Sequence, residues 1–133
     1  MTLGAQGVVL DDQQRVLLVR HTYRPGWHFP GGGVEKNETI QSALLRELYE
    51  ETGVEPIEPP ELFAIYANFT AFPSDHIALF VVRNWRRPVI PKPNAEIVEH
   101  GFFAHDAMPD SAHLSIRRRL AEIRGNGRPD ENW

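Results

Sequence analysis

Three glutamates crowd the C-terminal end of the first helical stretch of this chain. In RELYEETGV, Arg46 to Val54, the acids Glu47, Glu50 and Glu51 stand just before Gly53, a natural helix stop. The helical pattern runs from about Thr39 to Thr52, with Ile40, Leu44 and Leu48 spaced four apart. At about 100° per residue, Glu47 and Glu51 fall in the same sector as Ile40, Ala43 and Leu44, and Glu50 sits at its edge. The acids therefore continue the inward stripe. Their mutual repulsion costs roughly 0.2–0.5 kcal/mol per pair, and the helix dipole adds a penalty of similar size. Partial burial costs far more unless a partner neutralises the charge. Arg46 can hold one carboxylate in a bidentate grip, but not three. A hard divalent cation such as Mg²⁺ takes oxygen ligands and can hold several. A solvated acidic surface is the plain alternative. The register of the acids and the glycine run Gly31, Gly32 and Gly33 a few residues upstream argue against it. Such a run lets backbone approach a ligand, bringing a carbonyl to a metal or amides to a phosphate.

The rest of the chain is expected to build the frame for that helix. AQGVVL and RVLLVRH read as two strands joined by a turn at DDQQ, and TYRPGWHFPGGGVEKNE as loop. LFAIYANFTAF and HIALFVVRNW read as two further strands, and IVEHGFFAH as another. SAHLSIRRRLAEIR reads as a second amphipathic helix carrying Leu114, Leu120 and Ile123, with Arg117–Arg119 on its solvated face. Strands mixed with two helices suggest an α/β fold, a mixed sheet flanked by helices. A length of 133 residues suits one domain, expected over 1–124, with a flexible tail over 125–133. Cysteine is absent, which fits a reducing cytoplasm and leaves no disulfide or thiolate metal site. The N-terminus lacks the pattern of a signal peptide and no segment has the length of a membrane span. The net charge of −4 argues against a stable nucleic-acid partner or an anionic membrane.

The stretch from Gly32 to Val54 resembles the Nudix box, G-x5-E-x7-R-E-U-x-E-E-x-G-U, where U is a bulky aliphatic. Gly32, Glu38, Arg46, Glu47, Leu48, Glu50, Glu51, Gly53 and Val54 occupy every fixed position. The resemblance implies an α/β/α sandwich with a mixed β-sheet. It also implies Mg²⁺-dependent hydrolysis, with Mn²⁺ as the alternative, of a pyrophosphate bond in a nucleoside triphosphate or diphosphate derivative. Carried over by position, Glu47, Glu50 and Glu51 are the metal carboxylates and the carbonyl of Gly31 is a further ligand. Glu47 is alternatively the base that deprotonates the attacking water. Arg46 and Glu38 pair to orient the acids. Asn37 replaces the glycine often found before that glutamate, and asparagine is the next-best residue for a left-handed backbone. Dimerisation is common in the family, so a homodimer is an expectation.

Outside the box, Glu96 is favoured over Glu99 as a further acid able to swing over the site. Arg20, His21 and Arg24 stand before the glycine run and are candidates for substrate phosphates, together with the backbone of Gly32 and Gly33. Trp27, Phe69 and Phe72 either stack on a base or belong to the core. Three functions share this pattern: hydrolysis of a small nucleotide, nucleotide sensing without turnover, and pyrophosphohydrolysis at an RNA 5′ end. The full set of carboxylates favours hydrolysis over sensing, and the lack of a broad basic surface favours a small nucleotide over RNA.

Overall fold

The computed structural model describes residues 1–125 and 127–133, and every side chain of its strands and helices except that of Val98. The elements follow in the order β1 (Thr2–Val9), β2 (Val16–His21), β3 (Trp27–His28), β4 (Gly31–Gly33), α1 (Ile40–Thr52), β5 (Glu55–Pro56), β6 (Glu61–Ala67), β7 (Asp75–Val82), β8 (Trp85–Arg86), β9 (Ile97–Phe103) and α2 (Leu114–Ile123). A four-stranded mixed sheet has the order β4-β1-β7-β6, with β1 parallel to β7 and the other pairs antiparallel. A three-stranded antiparallel sheet has the order β3-β2-β9, and β5 pairs with β8. No helix among the described residues is long and apolar enough to cross a membrane.

β1 and β2 do not form the simple hairpin that a two-strand reading implies. Among the described residues they are joined by the Leu10–Val16 bridge at the turn, then diverge into different sheets. Alternation along the strands separates two cores. Val9, Ala78, Phe80 and Val82 face Ala43, Leu44 and Leu48 of α1, whereas Val8, Leu79 and Val81 pack in one cluster with Ile116 and Leu120 of α2. The result is an α/β/α arrangement. The glycine run, read as loop, is the edge strand β4, with Gly33, Gly32 and Gly31 opposite Gly4, Ala5 and Gln6. Paired backbone supplies the order that side chains lacking there cannot.

Helix α1 is capped at both ends. Thr39 Oγ1 accepts from the Ser42 amide at 3.0 Å. Gly53, at φ 77°, donates its amide to the Tyr49 carbonyl at 2.9 Å. A side chain at Gly53 would strike the carbonyl of Val89.

Two readings of the C-terminal third are corrected. Leu114 is exposed, because the buried face of α2 is set by Ser115, Ile116, Arg119 and Leu120. Arg119 is not on a solvated face: it is 1% exposed, with its guanidinium 4.3 Å from the Tyr66 ring and 5.3 Å from that of Trp133. Its Nε lies 2.9 Å from Glu122 Oε1 without pointing its N–H at that oxygen, so the contact is electrostatic, while Nη2 donates to Oε2 at 3.2 Å. Residues Glu131–Trp133 pair with the end of β6. The Ala67 amide donates to the Glu131 carbonyl at 2.7 Å and the Trp133 amide to the Ala67 carbonyl at 2.9 Å. Burying a charge costs energy unless it is paired, and losing one partner leaves the other stranded. Arg119→Ala is therefore expected to destabilise the fold by about 3 kcal/mol in urea unfolding.

Candidate functional site

The acid end of α1 lies where the two sheets diverge. Glu51 reaches both: the Gly31 amide of β4 donates to its Oε1 at 3.4 Å, and Nε2 of His21, at the end of β2, stands 3.7 Å from its Oε2. Glu51 is 7% exposed, and Oε2 has no hydrogen-bond partner among the described residues. Glu47, one turn earlier, lies against β4 so closely that a Cβ on Gly32 would sit 2.6 Å from its carboxylate. A side chain there would push the Glu47 carboxylate out of its place. Burial pushes the Glu51 carboxyl up to about 7. Glu47 is also raised, by burial first and by the neighbouring Glu51 charge.

Arg46 joins the elements around these acids. Its Nε and Nη2 grip both oxygens of Glu38 at 2.8 and 2.9 Å. Nη2 also donates to the Gly33 carbonyl at 3.2 Å, and Nη1 to Glu47 Oε1 at 2.7 Å. Hydrogen bonding to Arg46 holds the Glu38 carboxyl down to about 2. Glu50 is exposed and stands 3.8 Å from Arg46. The acids thus occupy unequal places, with Glu51 buried, Glu47 half-buried and Glu50 in solvent. Among the described residues no three acidic or histidine side chains form a ready-made metal cage.

The candidates outside the box separate. Arg20 pairs with Glu99 across β2 and β9 at 2.6 Å, so that charge is already neutralised. Glu96 is exposed on the loop before β9, and its backbone carbonyl accepts from the Thr22 amide at 2.9 Å. Its charge bears on both Glu51 and His21. Arg24 Nε donates to His21 Nδ1 at 3.3 Å. Burial lowers the pKa of His21 to about 4, with Arg24 adding to the effect, so the ring is neutral at pH 7. Gly33 is exposed at the edge of the site, with its carbonyl on Arg46. Trp27 is core, edge-on to Phe103 at 4.9 Å, while Phe69 and Phe72 are exposed and belong to no core.

A cavity of about 260 Å³ opens beside the glycine strand. Gln6, Arg24, His28, Phe29, Asn68, His113 and Trp133 are among its walls. Of these only Arg24 was a candidate. The others come from segments far apart in the chain, and nothing in their local sequence marks them. A larger cavity, about 490 Å³, lies between the β1–β2 turn and the end of α2, lined in part by Leu10, Arg83, Met108 and Arg124. It contains none of the box residues.

Known proteins share this frame. The family model described as NUDIX domain matches residues 1–123. An 8-oxo-dGTP diphosphatase of Proteus vulgaris is 34% identical over 102 residues, covering 72% of this chain and 88% of that protein. An RNA pyrophosphohydrolase of Histophilus somni is 32% identical over 85 residues, 64% of this chain but only 35% of that protein. The crystal structure of a MutT NUDIX hydrolase from Burkholderia pseudomallei superposes with a TM-score of 0.77 at 23% identity, covering 92% of this chain and 97% of that one. The chain belongs to the NUDIX family and is a hydrolase of pyrophosphate bonds in nucleotide derivatives.

The raised Glu51 carboxyl has a measurable consequence without metal. Its pKa of about 7 when folded exceeds its ordinary value of 4.5, so between these values the folded state holds more protons than the unfolded. Stability then falls as pH rises through that window. Glu51→Gln removes the effect. In chelator, the variant is expected to melt ~5 °C above the parent at pH 8, with the gap closing near pH 5, in paired thermal scans.

Proposed function

We propose that the chain hydrolyses a free nucleoside triphosphate or diphosphate derivative in the cytosol, with Mg²⁺ or Mn²⁺ held at the acid end of α1. The observation that carries this reading is the partnerless Oε2 of buried Glu51, set against Glu47 and the bare backbone of Gly32. An anionic oxygen left unpaired at that depth costs several kcal/mol, on the order of 1–3 or more for a charged group. A divalent cation would relieve that cost, and oxygen donors are what such a cation prefers.

Glu51 and Glu47 would hold the ion from α1, the Gly31 carbonyl from β4, and Glu50 from solvent, since its exposed side chain is free to turn inward. When bound, the ion would neutralise the pyrophosphate and acidify a water. The remaining work falls to side chains. Arg46 fixes Glu47 and, through Glu38, the loop leading into α1. Glu47, held by one oxygen, has the other available to accept a proton from water, as has Glu96 if its loop closes over the site. Arg24 stands between Glu51 and the 260 Å³ cavity with no carboxylate partner among the described residues, which suits it to a substrate phosphate. Arg20, already paired with Glu99, is a weaker candidate for that role.

A panel of nucleotides with Mg²⁺ or Mn²⁺, its products identified by mass, is the direct test. Turnover of at least one member is expected, and Glu50→Gln and Glu51→Gln should each lower kcat by about a hundredfold or more. Turnover equal to the parent in both variants would remove these acids from the reaction. The Histophilus somni relative supports a second reading, RNA 5′-end pyrophosphohydrolysis. Comparing triphosphorylated RNA with free nucleotide separates the two.

Metal binding has its own readout. The ion must displace the proton that Glu51 holds below about pH 7. Millimolar Mg²⁺ is expected to raise Tm at pH 8 and to do so less at pH 6. An identical shift in Glu51→Gln would place the ion elsewhere.

A further inference from the structure

The 260 Å³ cavity is smaller than a drug-sized ligand site, which starts near about 300 Å³, so it takes one part of a substrate rather than the whole. Its end nearest the acids is marked by Arg24, whose charge bears on Glu51. Its other walls are largely aromatic and amide. Phe29 and Trp133 stand edge to face at 6.2 Å, and Gln6 and Asn68 carry side-chain amides. His28 and His113 add neutral rings, since burial lowers both pKa values, His28 to about 4. An arginine beside the acids, in a cavity otherwise lined in large part by aromatic rings and side-chain amides, offers partners for both the phosphate and the base of a nucleotide.

One wall of this cavity comes from outside the matched family region, which ends at residue 123. Glu131–Trp133 adds a short rung to the edge of β6, through the Ala67 amide to Glu131 and the Trp133 amide to Ala67. Asn132 bridges Ala67 in parallel register. Arg119 secures this strap from beneath: Nη1 donates to the Asn132 carbonyl at 3.0 Å while its guanidinium packs against the rings of Tyr66 and Trp133, which also meet each other edge to face at 5.3 Å. Glu122, paired with Arg119, accepts from the Asp130 amide at 2.9 Å. A buried arginine held by an ion pair, a backbone carbonyl and two rings is an expensive way to anchor a tail that does nothing. It is a sound way to hold one ring at a fixed angle.

We propose that the strap Glu131–Trp133 is a specificity element of the substrate site, with Trp133 the wall against which the nucleotide base packs and Arg119 the residue that positions it. This rests on the nucleotide-hydrolase reading above. The strap lies beyond the span that relatives share through the family match, so base preference in this chain is set in part by residues that the box does not contain.

Fluorescence and kinetics test it separately. The chain has three tryptophans, and Trp133→Phe removes the one in the cavity. AMP, GMP, CMP and UMP are titrated without metal, with ribose 5-phosphate as the control that lacks a base. At least one nucleotide, but not ribose 5-phosphate, should quench the parent's tryptophan emission, and Trp133→Phe should lose that quench. With the best substrate of the panel, Trp133→Ala should raise KM about tenfold with kcat within twofold, and Trp133→Phe should keep KM within about threefold. If Trp133→Ala melts below the assay temperature, the Trp133→Phe titration decides. Quenching that is absent from the parent or unchanged in Trp133→Phe overturns the proposal, as does an unchanged KM in folded Trp133→Ala. Base-dependent quenching at Trp133 without turnover of any nucleotide would leave the strap standing and sink the hydrolase reading instead.

Discussion

The guanidinium of Arg46 is the joint on which the site depends. It binds both oxygens of Glu38, the Gly33 carbonyl and Glu47, so the edge strand, the connecting loop and the helix are fixed by one side chain. Lysine could not replace it, because a single ammonium cannot make a planar two-point contact with one carboxylate while donating elsewhere. The glycine strand would otherwise have little to hold it, having no side chains of its own. Its backbone pairing with β1 and this arginine supply the order instead.

That order serves an arrangement that is unfavourable in itself. Glu51 is buried at the end of a helix, with one carboxylate oxygen unpaired and a second acid one turn away. The core beneath it carries the cost: Ala43, Leu44 and Leu48 are fully buried against β1 and β7, and capping at Thr39 and Gly53 fixes where the helix begins and ends. Strain of this kind concentrates where a protein acts on something else, and the packed remainder of the fold tolerates it.

The strap offers a contrast. Arg119 sits within a run of three arginines that, read along the chain, belongs on a solvated face. It is buried because Tyr66 and Trp133 enclose its planar group and Glu122 neutralises it. None of these partners can be paired with it from a helical period alone, since Tyr66 comes from β6 and Trp133 from the far end of the sequence. Leu114 fails in the opposite sense, an apolar residue at an apparent core position that the true register of α2 leaves in water. In both cases what packs against the helix, rather than its period alone, decides burial.

Sequence by itself determined the local order. The spacing of Gly32, Glu38, Arg46, Glu47, Glu50, Glu51 and Gly53 placed the acids on one helix, gave that helix its stop and brought a glycine run before it. Those relations are periodic and short in range, so they are legible along the chain. Only the tertiary structure decided that β1 and β2 part into separate sheets, that Arg20 pairs with Glu99, and that Trp133 closes a cavity beside Arg24. Each of these joins segments dozens of residues apart, and burial and pairing at such distances depend on how whole layers pack, which no local pattern encodes.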